Sequence, residues 1–276
     1  MSGVQKALPR GLIYLVLLAF AAYYLMPIYL LVITGLKTDA EVNIDWMWRL
    51  PNGLHFDGFA QAWQRVSANF VNSILITVPA AIISAIIGSM NGYIFAKWKF
   101  RYSNTVFLLF LVGMFLPYQG ILIPLVQTLQ VFHLYATLPG VIIVHCIFGI
   151  PLTALMFRSY FAAVPSELLD AGKIDGCGFF GIYRHLMLPI SFPAFAVVLI
   201  WQFTTIWNDF LLGLVVLSNP RLAPVNVAVQ NLAGTYATQW QVQMSGALIA
   251  ALPTIIVYLG LGRFFMRGLL AGSVKG

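Results

Sequence analysis

Three features of the sequence predict an all-α integral membrane protein. Hydrophobic residues make up 61% of the chain and charged residues only 8%, well outside the range of a soluble domain. Long apolar runs recur, each at or above the roughly 18 residues that a helix needs to cross a bilayer. Nothing alternates in the ten-residue units of a membrane strand, which argues against a β-barrel.

Taken in order, the apolar runs predict six transmembrane helices at about 11–35, 71–96, 105–129, 137–161, 188–217 and 243–266, forming one membrane domain over 1–276. Pro27, Pro79, Pro117, Pro151, Pro193 and Pro253 fall inside these runs. Bundled membrane helices tolerate proline because neighbours satisfy the freed backbone groups. The first run is too long for the apolar core of a signal peptide and no small-residue cleavage site follows it.

Orientation is read from the basic residues. With six spans, one set of segments holds both termini and the loops 97–104 and 162–187. Counting Arg158 with its neighbouring loop, that set carries Lys6, Arg10, Lys97, Lys99, Arg101, Arg158, Lys173, Arg184, Arg263, Arg267 and Lys275, while the other carries only Lys37, Arg49, Arg65 and Arg221. The positive-inside rule places the first set, with both termini, in the cytoplasm. The net charge of +7 is then explained by anionic lipid headgroups, with no need of nucleic acid.

On the outer side, the loop 36–70 contains Trp46, Trp48, Phe56, Phe59 and Trp63. Such aromatics collect at membrane interfaces, so a helix lying at the interface around Phe59–Arg65 is expected, with contact to an external partner as the other reading. The loop 218–242 is rich in Asn and Gln and is expected to face water, a pathway or a docked protein. Gly88 and Gly92 have the spacing for close helix approach. That pattern is common by chance in membrane helices and carries no function here.

One acid lies within a span, Asp209, beside Trp207 and Asn208. An intramembrane charge is expensive and is a functional candidate by default. Two readings stand: Trp207, Asn208 and Asp209 line a solute pathway, the aromatics stacking on a sugar ring, or they form a polar clamp between helices. His145 is expected to be a core histidine. Cys146 and Cys177 are not expected to pair and have no metal-ligand company. The chain lacks the GxxxxGK[ST] loop that cradles nucleotide phosphates, an HExxH zinc pair and a GxSxG nucleophile turn. Enzymatic activity and direct use of ATP are therefore not expected, and no cofactor or metal is assigned to this chain.

The segment Glu167–Pro189, ELLDAGKIDGCGFFGIYRHLMLP, is polar yet lies between two long apolar runs. Leu168, Leu169, Ala171 and Ile174 recur at helical spacing. Gly176 and Gly178 are expected to stop that helix, since glycine accepts the conformations of a helix end. A second short amphipathic run follows over Phe179–Leu186.

This elbow resembles the EAA loop of binding-protein-dependent ABC importer permeases, whose pattern is roughly E-A-A-x-x-x-G and, about nine residues on, I-x-L-P. Asp170, Ala171 and Gly172 stand at the E-A-A positions, Gly176 at the glycine, and Leu186, Leu188 and Pro189 at the end. The aspartate keeps the charge of the family glutamate; Gly172 replaces an alanine. The resemblance extends to Asn72-Ser73, to the run YIFAKWKFR from Tyr93, to Trp207-Asn208-Asp209-Phe210 and to RGLLAGSVKG from Arg267. These are similar to maltose-type carbohydrate uptake permeases of the shorter-partner type, and the runs VHCIFGIPLTALMFRSYF, DGCGFFGIYRHLMLPIS and IWQFTTIWNDFLLG are most similar to the glucose/mannose importer permeases. The resemblance implies a type I ABC importer permease fold in a bacterial or archaeal cytoplasmic membrane. Its implied partners are a second homologous permease, two copies of a cytosolic ATPase that uses ATP and Mg, an external sugar-binding protein and membrane lipid. Glu167, Leu168, Asp170, Ala171, Gly172, Ile174, Asp175 and Gly176 would form the helix that couples to the ATPase. Permeases for oligosaccharide, polyol or glycerol phosphate, and an ion-coupled secondary transporter, are the alternatives.

Overall fold

Hydrocarbon offers the backbone no hydrogen-bond partner, so a chain this apolar must satisfy its peptide groups within helices. Among the described residues every regular element is helical. The structure, a computed structural model, describes residues 10–98, 100–115, 117–234 and 239–273, the side chains of 263–273 excepted. Lys6, Lys99 and Lys275 of the charge argument lie outside the described residues, as do the side chains of Arg263 and Arg267.

The elements are α1 (Arg10–Gly35), α2 (Asp57–Lys97), α3 (Ser103–Phe115), α4 (Leu122–Val131), α5 (Leu138–Ala162) and α6 (Ser166–Ile174). They continue as α7 (Phe179–Ile182), α8 (Leu188–Ile190), α9 (Phe192–Trp207), α10 (Leu211–Val216), α11 (Val225–Asn231) and α12 (Trp240–Ser273). Helices α1, α2, α5 and α12 are each long and apolar enough to cross a membrane. Counting each of two bent pairs as one span gives six: Ser103–Phe115 with Tyr118–Val131, bent by 82°, and Phe179–Ile190 with Phe192–Trp207, bent by 76°.

The two bends lie where 105–129 and 188–217 are each read from sequence as one span. Pro117 precedes the first Tyr118–Ile121 turn; it has no N–H to continue the helix. At the second bend Ser191 turns its hydroxyl back to Leu188 O (2.8 Å), and Pro193 sits in the first turn of α9, where its missing donor costs nothing. Helix α9 then stops at Asn208, and α10 begins only at Leu211. Residues 59–65 also differ from expectation. They are the opening turns of α2, a 41-residue helix about 61 Å long, rather than a separate interfacial helix.

The chain divides into two compact units. One holds the residues up to Val66 with Val229–Ala250, the other Ser67–Ala228 with the chain from Ala251. In the first, Ser245 Oγ donates to Gly35 O (3.3 Å) and Gln241 Nε2 to Asp39 Oδ1 (3.0 Å). The loop after α1 closes on buried Glu41 and Lys37. Glu41 accepts from Thr38 N and from Asn52 N, both at 3.0 Å, and Lys37 Nζ donates to Trp46 O and Met47 O.

In the second unit, α2 and α5 meet along small residues four apart: Ala80, Ser84, Gly88 and Gly92. Thr153 Oγ1 donates to Ser84 O (3.0 Å). A methyl group on Gly88 would stand 2.0 Å from Thr153 Oγ1, and one on Gly92 2.7 Å from Arg158 N. The spacing that carried no weight in the sequence is thus the closest packing between these helices. Buried Gln202 of α9 donates to Ser84 Oγ (2.9 Å), adding polar glue of the kind that joins membrane helices.

Two predictions follow from these packings. Gly92→Val must separate backbones, so its purified melting should show a loss of about 1–3 kcal/mol. Gly113→Val, at a site with nothing within 4 Å, should melt like the parent; equal melting of both variants would remove the seam from its role. For Glu41, the backbone N–H of Thr38 and then that of Asn52 hold the carboxyl below its ordinary pKa. The stabilisation is complete above the unfolded carboxylate pKa and is lost as pH falls through the lowered folded value. Amides of 38–52 should therefore stay protected from exchange into the acid range where ordinary glutamates protonate. Glu41→Gln should lose about tenfold of that protection at neutral pH, and unchanged exchange would refute the assignment.

Candidate functional site

The elbow is built from α6 outward. Helix α6 starts after Pro165, carries Glu167 in its first turn and Lys173 in its last, the charge order that its dipole favours. Its end is a Schellman turn: Gly176 N–H donates to Lys173 O (3.0 Å) and Cys177 N–H to Gly172 O (2.9 Å). Gly176 takes φ +79° there, the left-handed conformation that glycine supplies without strain. Gly178 is extended and opens α7.

Only Leu169 of α6 is buried. Glu167, Leu168, Asp170, Ala171, Ile174 and Asp175 are all exposed, and Ile174 is 86% exposed. Asp170 pairs with Lys173 at 2.9 Å, an exposed ion pair of small energetic weight. The helix therefore turns one leucine inward and presents a mixed acidic and apolar face outward.

What holds the elbow to the bundle is aromatic, and no sequence signal singled it out. Phe179 lies 5.0 Å from Tyr93 and 4.9 Å from Trp98, ring centre to ring centre. Tyr93 also packs on Tyr183 (5.6 Å) and Phe161 (6.4 Å). Leu169, Ile182 and Met187 complete this buried cluster. Tyr183 also shares a short hydrogen bond with Ser89 of α2. The stretch Tyr183–Met187 forms a π turn, a feature often found where a helix serves function. Tyr93 lies in the YIFAKWKFR run, but its partner Phe179 is 86 positions away, so periodicity cannot pair them.

At the other candidate site, Trp207 is buried, stacks on Phe203 at 5.5 Å and 10°, and meets Phe70 edge-on. Asn208 is exposed and folds its amide back to Thr204 O (2.8 Å). Asp209 accepts Leu212 N–H (2.8 Å) at the start of α10 and Tyr118 O–H (3.0 Å). It thereby ties the break between α9 and α10 to the turn that follows Pro117, a polar clamp between helices. His145 is buried and shares with Ser73, Thr77, Trp207 and Asp209 a cavity of about 10 Å³, room for one water at most. Asn69 donates to Pro220 O and Ala223 O, Asn72 to Arg221 O, and Ser73 accepts Val225 N–H. Residues 219–226, part of the loop expected to face water, a pathway or a docked protein, are thus fastened to the start of the apolar part of α2. Cys146 and Cys177 are free thiols.

Long apolar helices and an exposed, glycine-stopped elbow define a helical membrane protein with a polar projection, and comparison with known proteins gives its class. Residues 86–270 match the family "Binding-protein-dependent transport system inner membrane component". A probable ABC transporter permease of Pyrococcus horikoshii is 40% identical over 97% of this chain and 98% of its own. A xylose/arabinose import permease of Haloferax volcanii is 36% identical over 93% and 90%. A glucose import system permease of Saccharolobus solfataricus is 28% identical over 99% and 98%. The solved structure of a bacterial ABC transporter that imports the acidic polysaccharide alginate shares the fold, with a TM-score of 0.81 at 20% identity over 92% of this chain and 96% of that one. The chain belongs to the family of binding-protein-dependent inner-membrane transport components and has the type I ABC importer permease fold. It is a permease component rather than an enzyme, ATP hydrolysis belonging to a separate subunit.

The elbow geometry separates its two central glycines. A methyl group on Gly172 would meet Ile182 at an ordinary 3.4 Å, so Gly172→Ala should stabilise α6 by about 0.8–1 kcal/mol through helix propensity. Gly176→Ala should cost about 1–2 kcal/mol because φ is positive. Amide exchange over 168–175 should slow in the first variant and quicken in the second; the same direction in both would contradict the Schellman turn.

Proposed function

We propose that this chain is one of two homologous permease subunits of an ATP-driven sugar importer, and that α6 is its coupling helix. The observation that carries the reading is the outward face of α6. Leu168 and Ile174 are left exposed beside Glu167, Asp170 and Asp175 on a helix anchored by Leu169 and Phe179. An exposed apolar patch rimmed by charge marks a protein contact, and its expected occupant is a groove of the cytosolic ATPase. Asp170, Ala171, Gly172 and Gly176 supply the matching motif positions. ATP and Mg act on the ATPase dimer, and an extracytoplasmic binding protein delivers the solute. The basic segments around Lys97, Arg158 and Arg184 favour a cytoplasmic elbow and cytoplasmic termini.

The solute is a monosaccharide of the glucose/mannose type. Sequence likeness to that group and the glucose and xylose/arabinose relatives support this. An arabinooligosaccharide permease of Bacillus subtilis, 31% identical, favours an oligosaccharide as the second reading. On the membrane path Asn208 is the exposed member of its trio and meets solute, while Trp207 and Asp209 position the broken helix around it.

The test is ATPase activity in nanodiscs of the chain co-expressed with its neighbouring importer genes, with and without loaded binding protein. Glucose- or mannose-loaded protein should stimulate hydrolysis; stimulation only by an oligosaccharide would replace the solute and keep the class. Gly176→Pro and Asp170→Lys should assemble but lose stimulation and uptake. Normal coupling in both would overturn the role of α6.

A further inference from the structure

A second cavity, of about 450 Å³, opens where α2 ends and α3 begins, away from the elbow's outer face. Its wall combines Trp98, Phe100 and Tyr102 with Ser103, Thr105 and Arg158. Arg158 sits one turn before the end of α5. Its guanidinium lies 4.0 Å over the ring of Phe107 and reaches only Asn104 Oδ1, at 3.5 Å. The one ion pair among the described residues is Lys173–Asp170, so Arg158 has no carboxylate partner. Trp98, Phe100 and Tyr102 are 40%, 43% and 63% exposed, an aromatic rim of the kind that gathers at headgroup level. The site lies between the ends of two apolar helices, with Arg101 in the same turn.

We propose that this cavity binds the phosphodiester of an anionic phospholipid. Arg158 takes the phosphate, for which a guanidinium fork is suited. The hydroxyls of Ser103 and Thr105 complete the polar end, and the aromatic rim packs against the glycerol and upper acyl chains. The volume suits a headgroup with the first carbons of its chains, within the roughly 300–1,000 Å³ range of ligand sites. Basic pockets between helices on the cytoplasmic side are where anionic headgroups bind. That the lipid comes from the inner leaflet rests on the orientation proposed above; that the site binds anionic lipid does not.

The test is native mass spectrometry of the purified permease assembly titrated with phosphatidylglycerol, phosphatidylcholine or inorganic phosphate. Parent protein should retain phosphatidylglycerol over phosphatidylcholine, and Arg158→Gln should weaken that retention roughly fivefold. Thr105→Trp, which fills the cavity while keeping Arg158, should weaken it as well, both variants assembling and melting like the parent. Equal retention by parent and variants would overturn the site, as would displacement of the lipid by millimolar phosphate. A crosslinker at Ser103→Cys that captures a protein subunit instead of lipid would do the same. Labelling of Ser103→Cys by an impermeant thiol reagent, in intact cells against inverted vesicles, reports separately on the leaflet.

Discussion

The close approach of α2 and α5 is the constraint on which the seat of the elbow in the second unit depends. In lipid there is no hydrophobic drive to bring helices together; packing and interhelical hydrogen bonds must do it. Ala80, Ser84, Gly88 and Gly92 present almost no side chain, so α5 can lie against the backbone of α2 at Thr153, Phe157 and Arg158. That approach places Phe157 and Phe161, both fully buried, beside Tyr93. The aromatic cluster so formed is the seat of the elbow. A seam two atoms wider would leave Tyr93 without Phe161, and Phe179 without a floor.

On this seat the elbow is held at three points. Phe179 is wedged between rings of the α2 end, Leu169 enters the same cluster, and Tyr183 bonds to Ser89 of α2. The outer face of α6 is thus joined to α2 and α5 through packed rings, which deform little. The path beyond runs through the π turn and the 76° bend at Ser191 into α9. Motion at that bend is resisted by Tyr160 O–H bonding Ile190 O (2.6 Å) and by Gln202 on Ser84.

The polar side chains within the apolar segments serve a different end. Asp209, Tyr118, Asn69, Asn72 and Ser73 spend their hydrogen bonds on backbone groups or on one another across helix breaks and turns. Broken helices at membrane depth expose peptide groups that lipid cannot satisfy. These side chains supply the missing partners, and a helix that stops at Asn208 becomes tolerable. Asn208 differs in that it is exposed and folds its amide back to its own helix.

Much of this molecule is legible in the sequence because its causes are local. Apolar run length, with the bilayer as solvent, determines that the chain is helical and where its long helices lie. Polarity at 3.6-residue spacing, with Gly176 after it, determines α6 and its stop. The resemblance of Asp170, Ala171, Gly172 and Gly176 to a family loop pattern is likewise read without the fold. Tertiary structure alone decided the rest, because it depends on residues far apart in the chain. Gly88 and Gly92 have an ordinary spacing until Thr153 and Arg158 are set against them. Asp209 is a lone acid until Tyr118, 91 positions earlier, reaches it, and Phe179 is one of 21 phenylalanines until Tyr93 and Trp98 close round it. The bends at Pro117 and Ser191 belong with these. A proline or serine inside an apolar run permits a break, but only the neighbours that satisfy the freed peptide groups decide that it occurs.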